Sequence, residues 1–435
     1  MIIDIRRDNL DRIINEDFRK DAERYVRMYE DFMAAAEGSG ISIDRTLSSS
    51  GFTYKEDVEN VSGVNSSGFG HSLHYGEVSP ACANCRTGHR SMTVFHTLKC
   101  NRDCFFCANM NQDDYEHYLE NVNDAFAEVE AADGGLGFTS IALTGGEPLL
   151  LPEKSIEFFE KCRAKYPQAH LRLYTNGDYL TPMLATKLTN AGLDEVRVSV
   201  KAEGNSYPQE TVEIIRNIAG IIPSVMVEMP VIPGTLETMK RLLVELEDAG
   251  ADAINILEFL YPWVNSEKYA NRGFKVKPRP YRVLYDYEYA GGLPVAGSAE
   301  ECVELLKFAA EKNLKMRVHF CSLENKLTSQ VFMQNSSIQP MEYEVMSERD
   351  FFIKSARAYG RNAVKAEKYL SSKGLPFSKN GMQIEFHPMH IKDIKGLTEA
   401  ALTYNIAEFD ECSLIVREVK VDLIDPEKFD YSADI

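Results

Sequence analysis

The chain reads as an α/β protein: a partial (βα)6-type, TIM-like barrel with an N-terminal helix–loop extension and a C-terminal α+β appendage. Three observations predict this. Short apolar runs recur from about residue 91 to residue 320. Stretches of helical periodicity lie between most of them, and the alternation stops after Cys321. Strand–helix alternation builds right-handed βαβ units and a parallel sheet, and six or seven such units suit a partial barrel.

The predicted strands are SMTVFHTLK (91–99), TSIALT (139–144), HLRLYT (170–175), EVRVSV (195–200), SVMVEMPV (224–231), AINILEFL (253–260) and KMRVHF (315–320). EKSIEFFEKCRAKY (153–166) and LETMKRLLVELEDAG (236–250) are among the connecting helices. Upstream, Leu10, Ile13, Ile14, Phe18, Tyr25, Val26, Tyr29, Phe32 and Met33 recur every three or four residues, as on one face of a helix. Residues 38–80 are rich in Gly and Ser and read as loop. The 261–297 segment reads as an irregular insertion over one end of the barrel. Residues 347–374 predict one long helix stopped by Gly374, and GMQIEFH and SLIVREVKVDLI predict strands. The expected division is 1–90 (helix, loop and a cysteine pair), 91–334 (barrel) and 335–435 (α+β).

At 435 residues the chain is long enough for one large α/β domain plus additions. Its formal net charge of −18 argues against a nucleic-acid or anionic-membrane partner, which a basic surface would attract. No apolar run approaches the roughly 20 residues that span a bilayer. MIIDIRRDNLDRIINEDF has no apolar core of a secretory signal, so a cytoplasmic location is expected.

Of nine cysteines, five (Cys82, Cys85, Cys100, Cys104 and Cys107) fall close together, which points to metal ligands before disulfides. KCNRDCFFCANMNQ puts Cys100, Cys104 and Cys107 directly after the first barrel strand, where barrel chemistry sits. Three thiolates can hold three irons of a cubane and leave the fourth open to a ligand. Buried structural cysteines or half of a zinc site are the plainer alternatives, but zinc sites are usually closed by a fourth ligand.

C-x3-C-aromatic-x-C after strand one, with Phe106 before the last cysteine, resembles the radical S-adenosylmethionine (SAM) superfamily, and the resemblance runs over about residues 91–260. LTGGEPLL is similar to the family's Gly-Gly-Glu-Pro motif. The resemblance implies that Gly145, Gly146 and Glu147 meet the SAM amino group. LYTNG and VRVSVKAEG are similar to the family's next strand ends, implying Asn176 near the nucleoside, Ser199 at the ribose and Lys201 at the SAM carboxylate. A turn residue at Asn176 and a solvated lysine at Lys201 are equally open. Val231 and Ile232 resemble residues that pack on adenine, and plain barrel packing is as good a reading. The implied cofactors are a [4Fe–4S] cluster and SAM, with flavodoxin or ferredoxin as the kind of reducing partner.

PACANCRTGHR adds Cys82-x2-Cys85-x3-His89, a candidate auxiliary Fe–S or zinc site whose missing ligand would be Cys321 or Cys302. Against it, Cys82 and Cys85 precede strand one and so approach the barrel from the opposite end, unless their loop folds over it. Buried structural thiols are the alternative, as for Cys162 and Cys412. HFCSLENK follows the last barrel strand. Cys321 and Glu324 there are candidate catalytic residues, with a helix start capped by Ser322 as the alternative. The expected activity is radical SAM chemistry on a peptide or protein. The alternatives are a small-molecule enzyme, a glycyl-radical activase, or a non-catalytic Fe–S or zinc protein.

Overall fold

The computed structural model describes residues 1–47, 53–284, 292–410 and 413–435. They fall into two compact units, each assembled from separate stretches of chain: residues 41–280 with 288–327, and residues 1–40 with 281–287 and 328–435. Cys412 lies outside the described residues, as does part of the 261–297 insertion.

The larger unit contains a nine-stranded sheet. A hairpin comes first, β1 (Val64–Ser67) and β2 (Ser72–Tyr75), followed by the short helix α1 (Pro80–Cys85). Then the alternation begins: β3 (Ser91–Phe95), α2 (Ala125–Asp133), β4 (Ser140–Thr144), α3 (Pro152–Lys165), β5 (His170–Thr175) and α4 (Pro182–Asn190). It continues through β6 (Glu195–Val198), α5 (Gln209–Ile218), β7 (Ser224–Val231), α6 (Leu236–Asp248), β8 (Ala253–Glu258), α7 (Ser298–Lys312) and β9 (Arg317–Cys321). Strands β3 to β9 pair in parallel in chain order, and β2 adds to β9 antiparallel, Ser72 opposite Cys321. This is the parallel sheet and the partial TIM-like barrel that the alternation predicts.

Strand side chains alternate between faces, and the two faces differ sharply. Leu143, Leu173, Val196, Val198, Val227, Ile254, Ile256, Val318 and Phe320 face the helices and pack with Phe158, Phe159, Leu242, Leu243, Leu305 and Leu306. The positions between them bear Arg172, Glu195, Arg197, Glu228, Asn255, His319 and Cys321, a polar lining on the concave side. Val231 belongs to the helix-facing core, the packing alternative of its two readings.

The 38–80 loop expectation needs correction. Val64–Ser67 and Ser72–Tyr75 are strands turned by Gly68-Phe69-Gly70, where both glycines have positive φ. Gly and Ser composition concealed them, because their stability comes from pairing with β9 rather than from propensity. The 347–374 helix also needs correction. Ile353–Lys354 and Ala356–Tyr359 are strands, and only Gly360–Lys373 is helical, closed by Gly374 at φ +64°. Cross-strand pairing with Ala400–Asp410 overrides helix propensity there.

In the smaller unit, the long strands Ala400–Asp410 and Ser413–Ile424 pair antiparallel, and Ile2–Ile3 add to the edge of the second. Helix Glu16–Gly38 begins at Asn15, whose side chain accepts from the amides of Asp17 and Phe18. It buries Phe18, Tyr25 and Val26 with Tyr359 and Val421. No described helix is long and apolar enough to cross a membrane.

One buried ion pair within the larger unit holds the first residue of helix α8 (Leu323–Asn335). Lys277 Nζ lies 2.6 Å from Glu258 Oε1 and donates to the Tyr54 hydroxyl at 2.6 Å. The second oxygen of Glu258 accepts the amide of Leu323 at 2.8 Å. Removing one member of a buried pair strands the other charge. Lys277→Ala is expected to lower stability by about 3–5 kcal/mol, measured by urea unfolding of the full chain, and a loss below about 1 kcal/mol would show that water takes over the role.

Candidate active site

The three cysteines sit on the loop leaving β3, and every neighbouring strand end grips that loop. Its start is held by two backbone bonds: the Gly146 amide donates to Thr97 O at 2.9 Å and the Glu147 amide to Lys99 O at 2.9 Å. The approach is so close that a Cβ on Gly146 would stand 2.1 Å from Lys99 O, and one on Gly145 would stand 2.5 Å from Thr97 O. Gly145 also has φ +116°. Both glycines are therefore required by sterics alone. Beyond the last cysteine, Asn109 Nδ2 donates to Gly145 O at 2.6 Å, so the same strand end clamps both sides of the cysteine loop.

Glu147 has no exposed surface. Its carboxylate accepts from Leu149 N at 2.9 Å, Thr175 Oγ1 at 2.8 Å and Asn176 N at 2.7 Å, joining the end of β4 to the end of β5. Burial pushes its pKa up, and the three donors oppose that rise. The β5 end in turn reaches the loop. Asn176 Nδ2 donates to Asn101 Oδ1 at 2.8 Å and lies 3.7 Å from Cys100 Sγ. Asp178 accepts from Asn101 Nδ2 at 2.7 Å and pairs with Arg102, which holds its carboxyl below the usual range.

The sulfurs are met by N–H donors. The Arg102 amide donates to Cys100 Sγ at 3.4 Å, and Lys201 Nζ donates to Cys104 Sγ. Burial raises the Cys107 thiol, and the nearby sulfurs of Cys104 and Cys100 raise it further. All three thiols are free and half-buried. No three His, Cys, Asp or Glu side chains among the described residues converge as around a single metal ion. Three free thiols on one clamped loop, facing cationic and amide donors, fit a cluster with three protein thiolates.

Ser199 is half-buried, and its amide donates to Thr175 O at 2.9 Å beside Asn176. Phe106 packs edge-on to Phe105 and Phe259 with centroids 5.1 and 6.2 Å away. The insertion after β8 closes over this group: Asn265 Nδ2 donates to Phe105 O at 2.6 Å, and the Arg272 guanidinium lies 3.9 Å from the Phe105 ring centroid. The structure thus gathers Cys100, Cys104, Cys107, Phe106, Gly145, Gly146, Glu147, Asn176, Ser199 and Lys201 at one end of the barrel. Sequence reasoning missed Asn101, Asn109, Asp178 and Asn265. Their partners lie 36 to 160 residues away, so no local pattern marks them.

Cys82, Cys85, Cys321 and Glu324 form a separate neighbourhood. Cys82 and Cys85 lie on α1, where Arg197 Nη2 donates to Cys82 Sγ at 3.3 Å. Cys321 ends β9 and accepts from Asn325 Nδ2 at 3.4 Å. Ser322 caps α8 by accepting the Asn325 amide at 3.1 Å, and Glu324 lies half-buried in the first turn. Cys302, the other candidate ligand, is buried on α7 against Leu257 O, 3.9 Å away.

The glycine clamp can be tested directly. Gly146→Ala must push the 97–99 backbone away, at a cost of about 1–3 kcal/mol. The variant is expected to keep native circular dichroism and lose most of its capacity to hold iron after anaerobic reconstitution. Retention of wild-type iron would show that the clamp does not position the cysteines.

Residues 94–246 match the family model for the radical SAM superfamily. A putative glycyl-radical enzyme activating enzyme of Methanocaldococcus jannaschii is 25% identical over 292 residues, 63% of this chain and 72% of that protein. A probable GTP 3′,8-cyclase of Saccharolobus islandicus is 33% identical over 111 residues, which cover 26% of this chain and about a third (34%) of the cyclase. Among solved structures, Streptococcus suis SuiB bound to the precursor peptide SuiA is 12% identical, with a TM-score of 0.39, over 57% of this chain and 52% of that one. The matched stretch begins in β3 and runs through the strands whose ends clamp the three cysteines, and it supports membership in the radical SAM superfamily.

Proposed function

We propose that this radical SAM enzyme acts on a peptide or protein, with the reaction centred on the loop of Cys100, Cys104 and Cys107. The observation that carries the site is the clamp of that loop by the ends of β4 and β5, which fixes three thiols at the catalytic end of the barrel. When bound there, a [4Fe–4S] cluster supplies the electron that breaks a carbon–sulfur bond of SAM and releases a 5′-deoxyadenosyl radical.

The chain's own residues hold and shield. Cys100, Cys104 and Cys107 ligate, and the Arg102 amide, Asn176 and Lys201 offset the thiolate charge through N–H···S contacts. Glu147 acts from below, fixing Thr175 and Asn176 so that the two strand ends stay in register. Phe105, Phe106 and Phe259 form an apolar wall that excludes water from one side of the loop. The resemblance assigns Gly145, Gly146, Asn176 and Ser199 to SAM itself. The reading of Lys201 as a partner of the SAM carboxylate competes with its contact to Cys104. Flavodoxin or ferredoxin is the proposed kind of electron donor.

The relative from Methanocaldococcus jannaschii is named as an activating enzyme of glycyl-radical enzymes. That favours a protein substrate and makes abstraction from a backbone glycine the specific second reading.

Anaerobically reconstituted protein with SAM and a strong reductant is expected to form 5′-deoxyadenosine at least about 100-fold faster than Cys104→Ala, whose cluster lacks a ligand. Equal rates would sink the assignment of the reaction to this loop. Run with a size-fractionated extract of deuterium-grown anaerobic cells, the wild type is expected to yield deuterated 5′-deoxyadenosine from the macromolecular fraction. Label arising from the small-molecule fraction alone would refute a peptide or protein substrate. A persistent glycyl radical signal in the macromolecular fraction would single out the activase reading.

A further inference from the structure

The concave face of the sheet holds polar side chains that the cysteine loop does not use. Their direction follows from the strand alternation. Val227 and Met229 on β7, Ile254 and Ile256 on β8, and Val318 and Phe320 on β9 all belong to the helix-facing core. Glu228, Asn255 and His319 lie between them in sequence and so face the interior of the barrel. The ladder sets these three level with one another. Glu228 pairs with Asn255 across β7–β8, and Asn255 pairs with His319 across β8–β9.

Space remains in front of this row. The Glu228 side chain is 17% exposed although it stands on the inner face of a central strand. Tyr174, which lies between two helix-facing positions of β5, is likewise only half-buried. Asn255 and His319 are 4% and 7% exposed, and each has one atom without a hydrogen-bond partner among the described residues, Asn255 Oδ1 and His319 Nδ1. The other end of each side chain is fixed. Asn255 Nδ2 donates to Glu228 Oε2 at 2.7 Å, which leaves the amide oxygen as a free acceptor. Ser72 Oγ donates to Phe320 O at 3.2 Å and lies 2.7 Å from His319 Nε2, so Nε2–H donates to Ser72 and Nδ1 carries the lone pair. Burial lowers the ring's pKa to about 4, so the ring stays uncharged. Native interiors rarely leave two such atoms side by side and unmet.

Both atoms are acceptors, so the partner that suits them brings two donors. Neighbouring strands stand about 4.8 Å apart. The two acceptors served by one NH2 group stand about 5 Å apart, because two N–H···O bonds of about 2.9 Å diverge by about 120°. A single NH2 therefore matches the strand spacing. Charge decides between an ammonium and an amide. Arg197 pairs with Glu228, and Lys326, half-buried in the first turn of α8, is within electrostatic reach of it. The one carboxylate of the row is thus already offset twice, and an additional ammonium finds no uncompensated charge. A carboxamide is neutral and supplies both the NH2 and an acceptor oxygen.

We propose that Asn255 and His319 form a subsite for the carboxamide of a substrate asparagine or glutamine, whose NH2 donates to Asn255 Oδ1 and His319 Nδ1 while its carbonyl oxygen accepts from Lys326. The inference rests on the reading of a peptide or protein substrate and names the side chain that enters the barrel. The subsite holds that residue in place and takes no part in making or breaking bonds.

The test is ring-nitrogen magnetic resonance on the full reconstituted chain carrying isotope-labelled histidine, with the His319 signals identified by their loss in His319→Gln. Nδ1 is expected to be unprotonated. Propionamide is expected to shift its signal saturably, with half the effect below about 100 mM, an affinity within reach of so small a ligand. Propionate and propylammonium, of the same size, are expected to leave the signal in place. Asn255→Leu is expected to abolish the response to propionamide with circular dichroism unchanged. A protonated Nδ1 overturns the proposal. So does a wild-type signal that ignores propionamide, the mark of a fixed water, or one that moves equally with all three probes. Where deuterium passes from the macromolecular fraction to 5′-deoxyadenosine, saturating propionamide is expected to suppress the transfer, and undiminished transfer overturns the assignment of the subsite to substrate. The resonance needs no SAM cleavage, so an inactive preparation with a responsive Nδ1 counts against the proposed reaction and not against this site.

Discussion

The structure of the candidate active site depends on one close contact, the backbone of Gly145-Gly146-Glu147 lying against Thr97–Lys99. Two amide–carbonyl bonds of 2.9 Å join the exit of β4 to the exit of β3 immediately before Cys100. Any side chain at Gly146 would overlap the Lys99 carbonyl, so the contact exists only because two consecutive residues lack a Cβ. The remaining order follows from it. Glu147 is carried into the interior, where its carboxylate accepts three hydrogen bonds only if Thr175 and Asn176 are in place. Asn176 and Asp178 then reach the cysteine loop from the next strand. A motif that looks like a cofactor contact in sequence is also a mechanical part, and sterics alone would account for its glycines.

The concave face of the sheet presents a second constraint. Most barrels of this kind fill their interior with branched apolar side chains. Here Arg172, Glu195, Arg197, Glu228, Asn255 and His319 occupy it. Isolated buried charges are costly, and these are assembled so that each offsets another: Arg197 between Glu195 and Glu228, Asn255 Nδ2 on Glu228 at 2.7 Å, Ser79 on Glu195. Burial and the nearby Arg197 charge keep His319 neutral, with its pKa lowered to about 4.

The barrel was legible in the sequence because its strands are fully apolar on one face and its helices keep their period. His170–Thr175 and Ser224–Val231 match their predicted bounds residue for residue. The cysteine triad and GGEP were legible because ligand spacing and consecutive glycines are local features. What stayed hidden is held by distant partners. The hairpin Val64–Tyr75 is polar and glycine-rich and becomes a strand pair only against β9. Residues 353–359 have helical composition and become strands because Ala400–Asp410 offers an edge. Asn109 and Asn265 look like ordinary loop residues until their carbonyl partners are known.

The hairpin also sets the direction from which the upstream cysteine pair approaches the barrel. A cysteine pair just upstream of the first barrel strand should lie at the end of the barrel opposite to the chemistry. The antiparallel run of β2 along β9 agrees with this, because it carries the chain from Ser72, opposite Cys321, down to Tyr75, opposite Val318, before α1 begins. α1 then meets the polar concave face, where Arg197 donates to Ser79 and Cys82. An edge strand left unpaired at β9 would have exposed a row of backbone donors and acceptors. Pairing β9 with the hairpin satisfies that row and moves the edge of the sheet to the short strand β1.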